Sequence, residues 1–242
     1  MRPWQIMLYL SSVMMVARER SMSVAVEDYA KAIYKLQSGA DPGPPVSTND
    51  LARELGVTPA SASGMLKKLN DLGLIAYVPY RGVRLSEAGR RTALGVLRRH
   101  RLLETYLAEA LGLSWDRVHT EAERLEHALS HELEAVIDAK LGHPRRDPHG
   151  DPIPGADGRV EEPAMCNLSV LEAGQRATLV RVSDADPEVL RRLSRLGVAL
   201  GQELEVLEHR RAPEGRAVRI SGVRHTLTAG MVAAMWVRLE EP

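Results

Sequence analysis

The chain is 242 residues long, 44% hydrophobic and 26% charged, with a formal net charge of zero. This is the composition of a folded globular protein with room for two or three small domains. Aromatic residues make up 4%, with no Phe, which argues against binding nucleic acid by base stacking, and the neutral total excludes a uniformly basic coat.

A single cysteine, Cys166, excludes a disulfide framework and a thiolate cluster, and points to the cytoplasm. The neutral total conceals a split. Ser47–Arg101 carries 10 Lys/Arg against 4 Asp/Glu, whereas Glu104–Glu134 carries 8 Asp/Glu against 2 Arg. The first stretch suits an anionic partner and the second suits cations.

Residues 1–22 read as an extension outside the fold. The apolar run Pro3–Ala17 is short, broken by Gln5, Ser11 and Ser12, and preceded only by Arg2, so it fits neither a membrane span nor a signal peptide. Met14, Met15 and Met22 are alternative starts. Val24–Gln37 has helical periodicity, with Val26, Tyr29, Ala30, Ile33 and Leu36 inward and Asp28 and Lys31 on the flank. GADPGPP (39–45) ends it. A short helix, Asn49–Leu55, follows a Ser47 or Thr48 cap, and Gly56 closes it.

Thr58-Pro59 restarts a helix running to about Leu72, with a hydroxyl cap and Pro at the first helical position. Helix, Gly-containing turn and helix make a helix-turn-helix pattern. Thr58, Pro59, Ser61, Ser63 and Lys67 give its second helix a small, polar, basic face suited to a DNA groove. Two short strands, Leu74–Pro79 and Val83–Ser86, form a wing whose Arg81 and Arg84 suit phosphates or the minor groove.

Ser86 caps a long helix from Glu87 to about Leu111 that places His100 and Glu104 four residues apart on one face. A further helix is expected from about Trp115 to Leu141, containing HTEAERLEHALSH (119–131). On it Glu123, Glu126 and His127 share a face, with His119 one turn before and His131 one turn after. Carboxylates and imidazoles so grouped make half a coordination shell for a divalent metal. HPRRDPHGDPIPGADG (143–158) reads as a strand-free linker with His143 and His149 in solvent. From Cys166 onward, period-two segments starting near Ala177, Gln202, Arg216 and His225 indicate strands of a small barrel, with PEVLRRLSRLG as a helical turn between the first two.

The winged helix-turn-helix, followed by His100-x-x-x-Glu104 and His119-x-x-x-Glu123-x-x-Glu126-His127, resembles the DtxR/MntR family of metal-dependent repressors over about Ser23–Leu239. The HGDPIPG segment and the C-terminal barrel belong to that likeness. The resemblance implies an α+β fold of three parts: an N-terminal winged helix-turn-helix, an all-helical dimerisation and metal domain, and a C-terminal SH3-like (FeoA-type) β-barrel. The corresponding boundaries are 1–22 (extension), 23–92, 93–142, 143–165 (linker) and 166–242.

It also implies a cytoplasmic homodimer that binds a double-stranded operator when metal is bound and represses metal-uptake genes. No enzymatic activity, membrane partner or small-molecule substrate is expected. One metal site would use Asp28, Glu123, Glu126 and His127. A second would use His100, Glu104 and His119, with Asp186 and Glu188 as candidate ligands from the barrel.

Iron-type members carry Met and Cys where this chain has Asp28 and Glu123, so the hard oxygen donors favour Mn(II), with Fe(II) the alternative. Lys31 stands where two-domain manganese members have Glu, which counts against a tight dinuclear cluster. Gly64 replaces a Gln of iron-type members, so base reading should differ. The competing readings are an iron-responsive member of the family, a winged-helix regulator of an organic ligand, and a metallohydrolase using Glu126 as base.

Overall fold

Side-chain caps set most of the helix starts. The Ser47 and Thr58 hydroxyls accept hydrogen bonds from the backbone N–H groups of Asp50 (3.1 Å) and Ser61 (3.2 Å), each satisfying a donor that the first helical turn leaves over. The computed structural model describes residues 23–37, 43–78, 80–161, 164–207 and 215–239. It divides into two compact units, with the division between Val96 and Leu97.

The first unit contains α1 (Val24–Leu36), α2 (Thr48–Glu54), α3 (Pro59–Asp71) and a two-stranded wing, β1 (Ile75–Val78) with β2 (Gly82–Leu85). The wing is antiparallel, with Ile75 opposite Leu85 and Val78 opposite Gly82. Its base is tied down by Val46, whose N–H donates to the Val83 carbonyl at 2.8 Å. The core comprises Val26, Ile33, Leu51, Ala62, Leu66, Leu69, Ile75 and Val83, all buried. Burying such apolar side chains stabilises by about 1.5–3 kcal/mol for each large one. Pro79, expected at the end of the first wing strand, lies outside the described residues, as do residues 1–22.

A long helix, α4 (Glu87–Glu109), starts in this unit and supplies the first element of the second. Next come α5 (Val118–Leu125) and α6 (His131–Lys140). The single helix expected over 115–141 is therefore two. Ser130 breaks it by adopting extended backbone and capping α6, its hydroxyl accepting from Leu133 N–H at 3.2 Å. Leu102, Leu103, Leu107, Val118, Ala122, Ile137 and Ile153 form the core here.

The barrel is a six-stranded sheet in the order β3-β8-β4-β5-β6-β7. Its strands are β3 (Cys166–Asn167), β4 (Arg176–Val182), β5 (Glu203–Val206), β6 (Arg216–Ile220), β7 (Val223–Leu227) and β8 (Met235–Leu239), with α7 (Pro187–Arg195) between β4 and β5. The continuous alternating segment expected from His225 is interrupted by α8 (Ala229–Ala234), because Thr228 caps it by accepting from Met231 N–H. Arg216 is buried and donates to the carbonyls of Leu168, Ser169 and Leu171, holding the 3₁₀ turn Leu168–Val170 against the sheet.

Candidate metal centre and DNA-binding face

His100 and Glu104 lie one turn apart on α4, so both project into the second unit, where they are almost wholly buried. α5 brings His119 to them, and the loop after β4 brings Asp184. His119 Nδ1 lies 3.1 Å from His100 Nε2, 3.1 Å from Glu104 Oε1 and 2.9 Å from Asp184 Oδ2. His100 Nε2 is itself 3.1 Å from Glu104 Oε1.

One ring nitrogen carries at most one proton, so no tautomer lets His119 Nδ1 satisfy all three neighbours. Two imidazoles and two carboxylates converging in this way fit a divalent cation, which would satisfy every lone pair at once. In the absence of a cation the site compensates by holding protons. Burial opposes the change, but Asp184 and Glu104 push the His119 imidazole up to about 10. Burial likewise opposes the shift at Glu104, yet His100, His119 and His149 hold its carboxyl well below the usual range.

The other ring nitrogen of His100 faces Glu126. Nδ1 is 2.6 Å from Oε2, and Oε1 of Glu126 is 3.2 Å from His127 Nε2. Glu126 is 1% exposed, immediately beyond the end of α5, and its backbone carbonyl accepts from Arg99 Nε at 2.9 Å. Glu123 is more exposed, with an oxygen 3.6 Å from His119 Nε2. His131 opens α6 with its side chain in solvent. Of the residues expected at the first site, Glu126 and His127 are thus in contact and Glu123 reaches toward His119. Asp28 lies on α1, in the other unit.

Three further residues were not identified by the sequence reading. His149, expected in solvent, is fully buried. The cause is local: Asp147 Oδ1 accepts from the N–H groups of both His149 (2.8 Å) and Asp151 (2.9 Å), folding the segment into an Asx-type turn. His149 then stacks on Trp115, with ring centroids 5.8 Å apart. Its Nε2 donates to the Trp115 carbonyl at 3.0 Å.

That bond turns Nδ1 toward Glu104 Oε1, 3.9 Å away, buried and without a hydrogen-bond partner. An imidazole held through one nitrogen, with the other aimed at a carboxylate, is placed to ligate a metal once its proton is displaced. Burial would lower the His149 pKa, but Glu104, Asp147 and the Trp115 carbonyl push it up to about 9. Burial, with Glu104 and Asp151 acting the same way, pushes the Asp147 carboxyl well above its usual range. Glu104, Asp147 and His149 form a second group with metal-binding spacing, sharing Glu104 with the first.

Asp184 is the third. The candidates Asp186 and Glu188 are otherwise engaged: Asp186 caps α7, accepting from Glu188 N–H at 2.9 Å, and Glu188 pairs with Arg191 and Arg192. The barrel docks on the 147–151 turn through the Val182 N–H, which donates to the His149 carbonyl at 2.8 Å. Gly150, at φ +92°, permits this, since any side chain there would strike the Val180 carbonyl. Asp151 pairs with Arg101 of α4 at 3.2 Å and with Arg181 of β4 at 3.1 Å.

On the first unit, Thr58, Pro59, Ser61, Ser63 and Lys67 of the α3 region are exposed, as is Arg81 on the wing. Arg84 is half-buried and its Nε donates to the Gly43 carbonyl at 2.7 Å, so part of its guanidinium is committed within the unit. Among the described residues no helix is long and apolar enough to cross a membrane.

Sequence profiles of three protein domains match in this order. They are the iron dependent repressor N-terminal DNA binding domain (residues 21–83), the iron dependent repressor metal binding and dimerisation domain (86–155), and the FeoA domain (166–239). The chain belongs to the DtxR/MntR family of metal-dependent repressors.

The iron-dependent repressor IdeR of Mycobacterium tuberculosis is 30% identical over 161 residues, covering 64% of this chain and 69% of that one. An uncharacterised HTH-type transcriptional regulator of Methanocaldococcus jannaschii is 38% identical over 112 residues, covering 46% of this chain and 88% of its own. A solved structure of a manganese-dependent transcriptional repressor in complex with manganese is 44% identical. It covers 89% of this chain and 100% of its own, with a TM-score of 0.82. Like other DtxR/MntR proteins, this chain is a metal-dependent transcriptional repressor rather than an enzyme.

Proposed function

We propose that the protein is a manganese-responsive repressor of metal-uptake genes, acting in the cytoplasm as a homodimer on a palindromic operator. The observation that carries metal dependence is the convergence of His100 Nε2, Glu104 Oε1, His119 Nδ1 and Asp184 Oδ2 around a point that a proton alone cannot satisfy. Two features support manganese. The donors are carboxylates and imidazoles with no thiolate, and Asp28 and Glu123 supply oxygen where iron-type relatives carry sulfur. The 44% identical manganese repressor points the same way.

Two sets of residues would hold metal: His100, Glu104, His119 and Asp184, with Asp147 and His149 beside Glu104; and Asp28 with Glu123, Glu126 and His127. A bound divalent cation supplies the positive charge that lets these carboxylates stay together. Asp28 is carried by the DNA-binding unit and the other three by the metal-binding unit. Shared ligation would therefore favour one arrangement of the two, and with it one spacing of the α3 helices across the dimer. Half-sites about one helical turn apart, roughly 34 Å, or a multiple of it, are then required. The shift is only as large as the difference in metal affinity between the arrangements. We assign self-association to the apolar side chains that α5, α6 and their flanks leave in solvent: Leu111, Leu125, Leu133 and Val136.

The test is metal specificity. Operator binding that follows Mn(II) and is reversed by a chelator supports the proposal. A response to anaerobic Fe(II) with none to Mn(II) would assign the protein to iron, in keeping with its likeness to IdeR.

A further inference from the structure

The inference concerns the turn 147–151 and rests on the metal-dependent reading of the second unit. Asp147 and His149 are both buried, and with Glu104 of α4 they offer one ligand atom each, all within 4.8 Å of one another. Opposite ligands of a transition-metal ion stand roughly 4.2 Å apart, so little contraction would close this group around a cation. Among the described residues, Glu104 is the one member it shares with the group of His100, His119 and Asp184. A single ion therefore does not reach both sets.

A closed hydrogen-bond network would leave no polar atom of this turn over, yet one is left. Asp147 spends Oδ1 on the N–H groups of His149 and Asp151. Its Oδ2 faces Arg101 Nε at 3.8 Å, beyond hydrogen-bond length. Arg101 is itself engaged elsewhere, donating to the Pro152 carbonyl and to Asp151. His149 is fixed from behind, by the Trp115 carbonyl on Nε2 and by the Trp115 ring on its face. Its Nδ1 is wholly buried, has no hydrogen-bond partner and is turned toward Glu104 Oε1. A buried polar atom in that state costs free energy that a ligand recovers. One imidazole and two carboxylates are a donor set for a divalent ion such as Mn(II).

We propose that Glu104 is shared by two divalent cations, one held with His100, His119 and Asp184 and the other with Asp147 and His149. A site of this kind keeps its two ions about 3.5–4 Å apart. The second cation ties α4 to the turn on which the barrel docks, through the Val182 N–H and the His149 carbonyl.

The experiment measures Mn(II) uptake by the full chain, by equilibrium dialysis with elemental analysis, and the electron paramagnetic resonance spectrum of the loaded protein. Two variants each remove one ligand and keep the local structure. His149→Phe preserves a ring to stack on Trp115, and Asp147→Asn retains an oxygen to accept from the two N–H groups. The wild-type protein is expected to take up one equivalent of Mn(II) more than either variant. Its spectrum should show an exchange-coupled pair, which both variants replace with the resolved lines of isolated Mn(II). Equal uptake by all three proteins, or no coupled pair in the wild-type protein, would overturn the inference while leaving the metal-dependent reading intact. A wild-type protein that binds no Mn(II) would refute that reading, and the inference with it.

Discussion

His100 Nδ1 lies 2.6 Å from Glu126 Oε2, and the two side chains are 3% and 1% exposed. Because His100 Nε2 faces Glu104 on its other side, this one imidazole separates two buried carboxylates belonging to the two proposed ligand sets. His100→Ala would leave both carboxylates buried without it. The metal-free variant should be less stable by about 3 kcal/mol or more, as for removal of one partner from a buried ion pair. Urea unfolding of the metal-free proteins measures this, and a change below 1 kcal/mol would mean that His100 does not serve both sides.

Asp184 and Asp186, two residues apart, should differ in their effect on metal binding. Asp184→Ala is expected to weaken Mn(II) binding by about tenfold or more and, because Asp184 helps hold His119 protonated, to lower the stability of the metal-free protein at neutral pH as well. Asp186→Ala removes the α7 cap and should cost about 1 kcal/mol without affecting metal affinity. Calorimetric titration and thermal melting of the two variants test the assignment, and the reverse pattern would return the barrel ligand to Asp186.

Gly150→Ala forces a side chain into a left-handed backbone position and against the Val180 carbonyl. A loss of at least about 1 kcal/mol is expected. Weaker metal binding should accompany it, because the turn that Gly150 closes carries Asp147 and His149 and docks the barrel strand that leads to Asp184.

The pH dependence follows from two imidazoles. In the metal-free protein His119 is raised from 6.5 to about 10 and His149 to about 9. A raised folded-state value contributes stability that is complete below about 6.5 and lost as pH climbs through 9 to 10. The metal-free protein should therefore lose stability as pH rises across that window. Metal binding runs the other way, because the cation displaces their protons. Mn(II) affinity should rise between pH 7 and 9, with proton release seen as a dependence of the titration heat on the buffer's ionisation enthalpy. Heat independent of buffer would contradict this.

Much of the fold was legible because its signals are local. The Thr58-Pro59 cap, the glycines ending helices and the i, i+4 spacing of His100 and Glu104 each depend on a few neighbouring residues. What the sequence reading missed depends on contacts between distant segments or on competing caps. Ser130 ended α5–α6 continuity through one hydroxyl, within a stretch whose apolar periodicity runs on. His149 sits in a Pro- and Gly-rich run that reads as solvent loop, and only the Asp147 turn and the Trp115 ring bury it. Asp186-Pro187 is itself a cap followed by proline at the first helical position. That pattern gives Asp186 a capping role and turns attention to Asp184.

Metal bound by these residues is expected to switch DNA binding. Fluorescence anisotropy of the full chain on a labelled fragment of its own upstream region and of adjacent transporter promoters, titrated with Mn(II) and then with chelator, tests it directly. Binding that appears with Mn(II), disappears with chelator and is absent in a His100→Ala, Glu126→Ala double variant is the predicted result. Equal affinity with and without metal in the wild-type protein would contradict it.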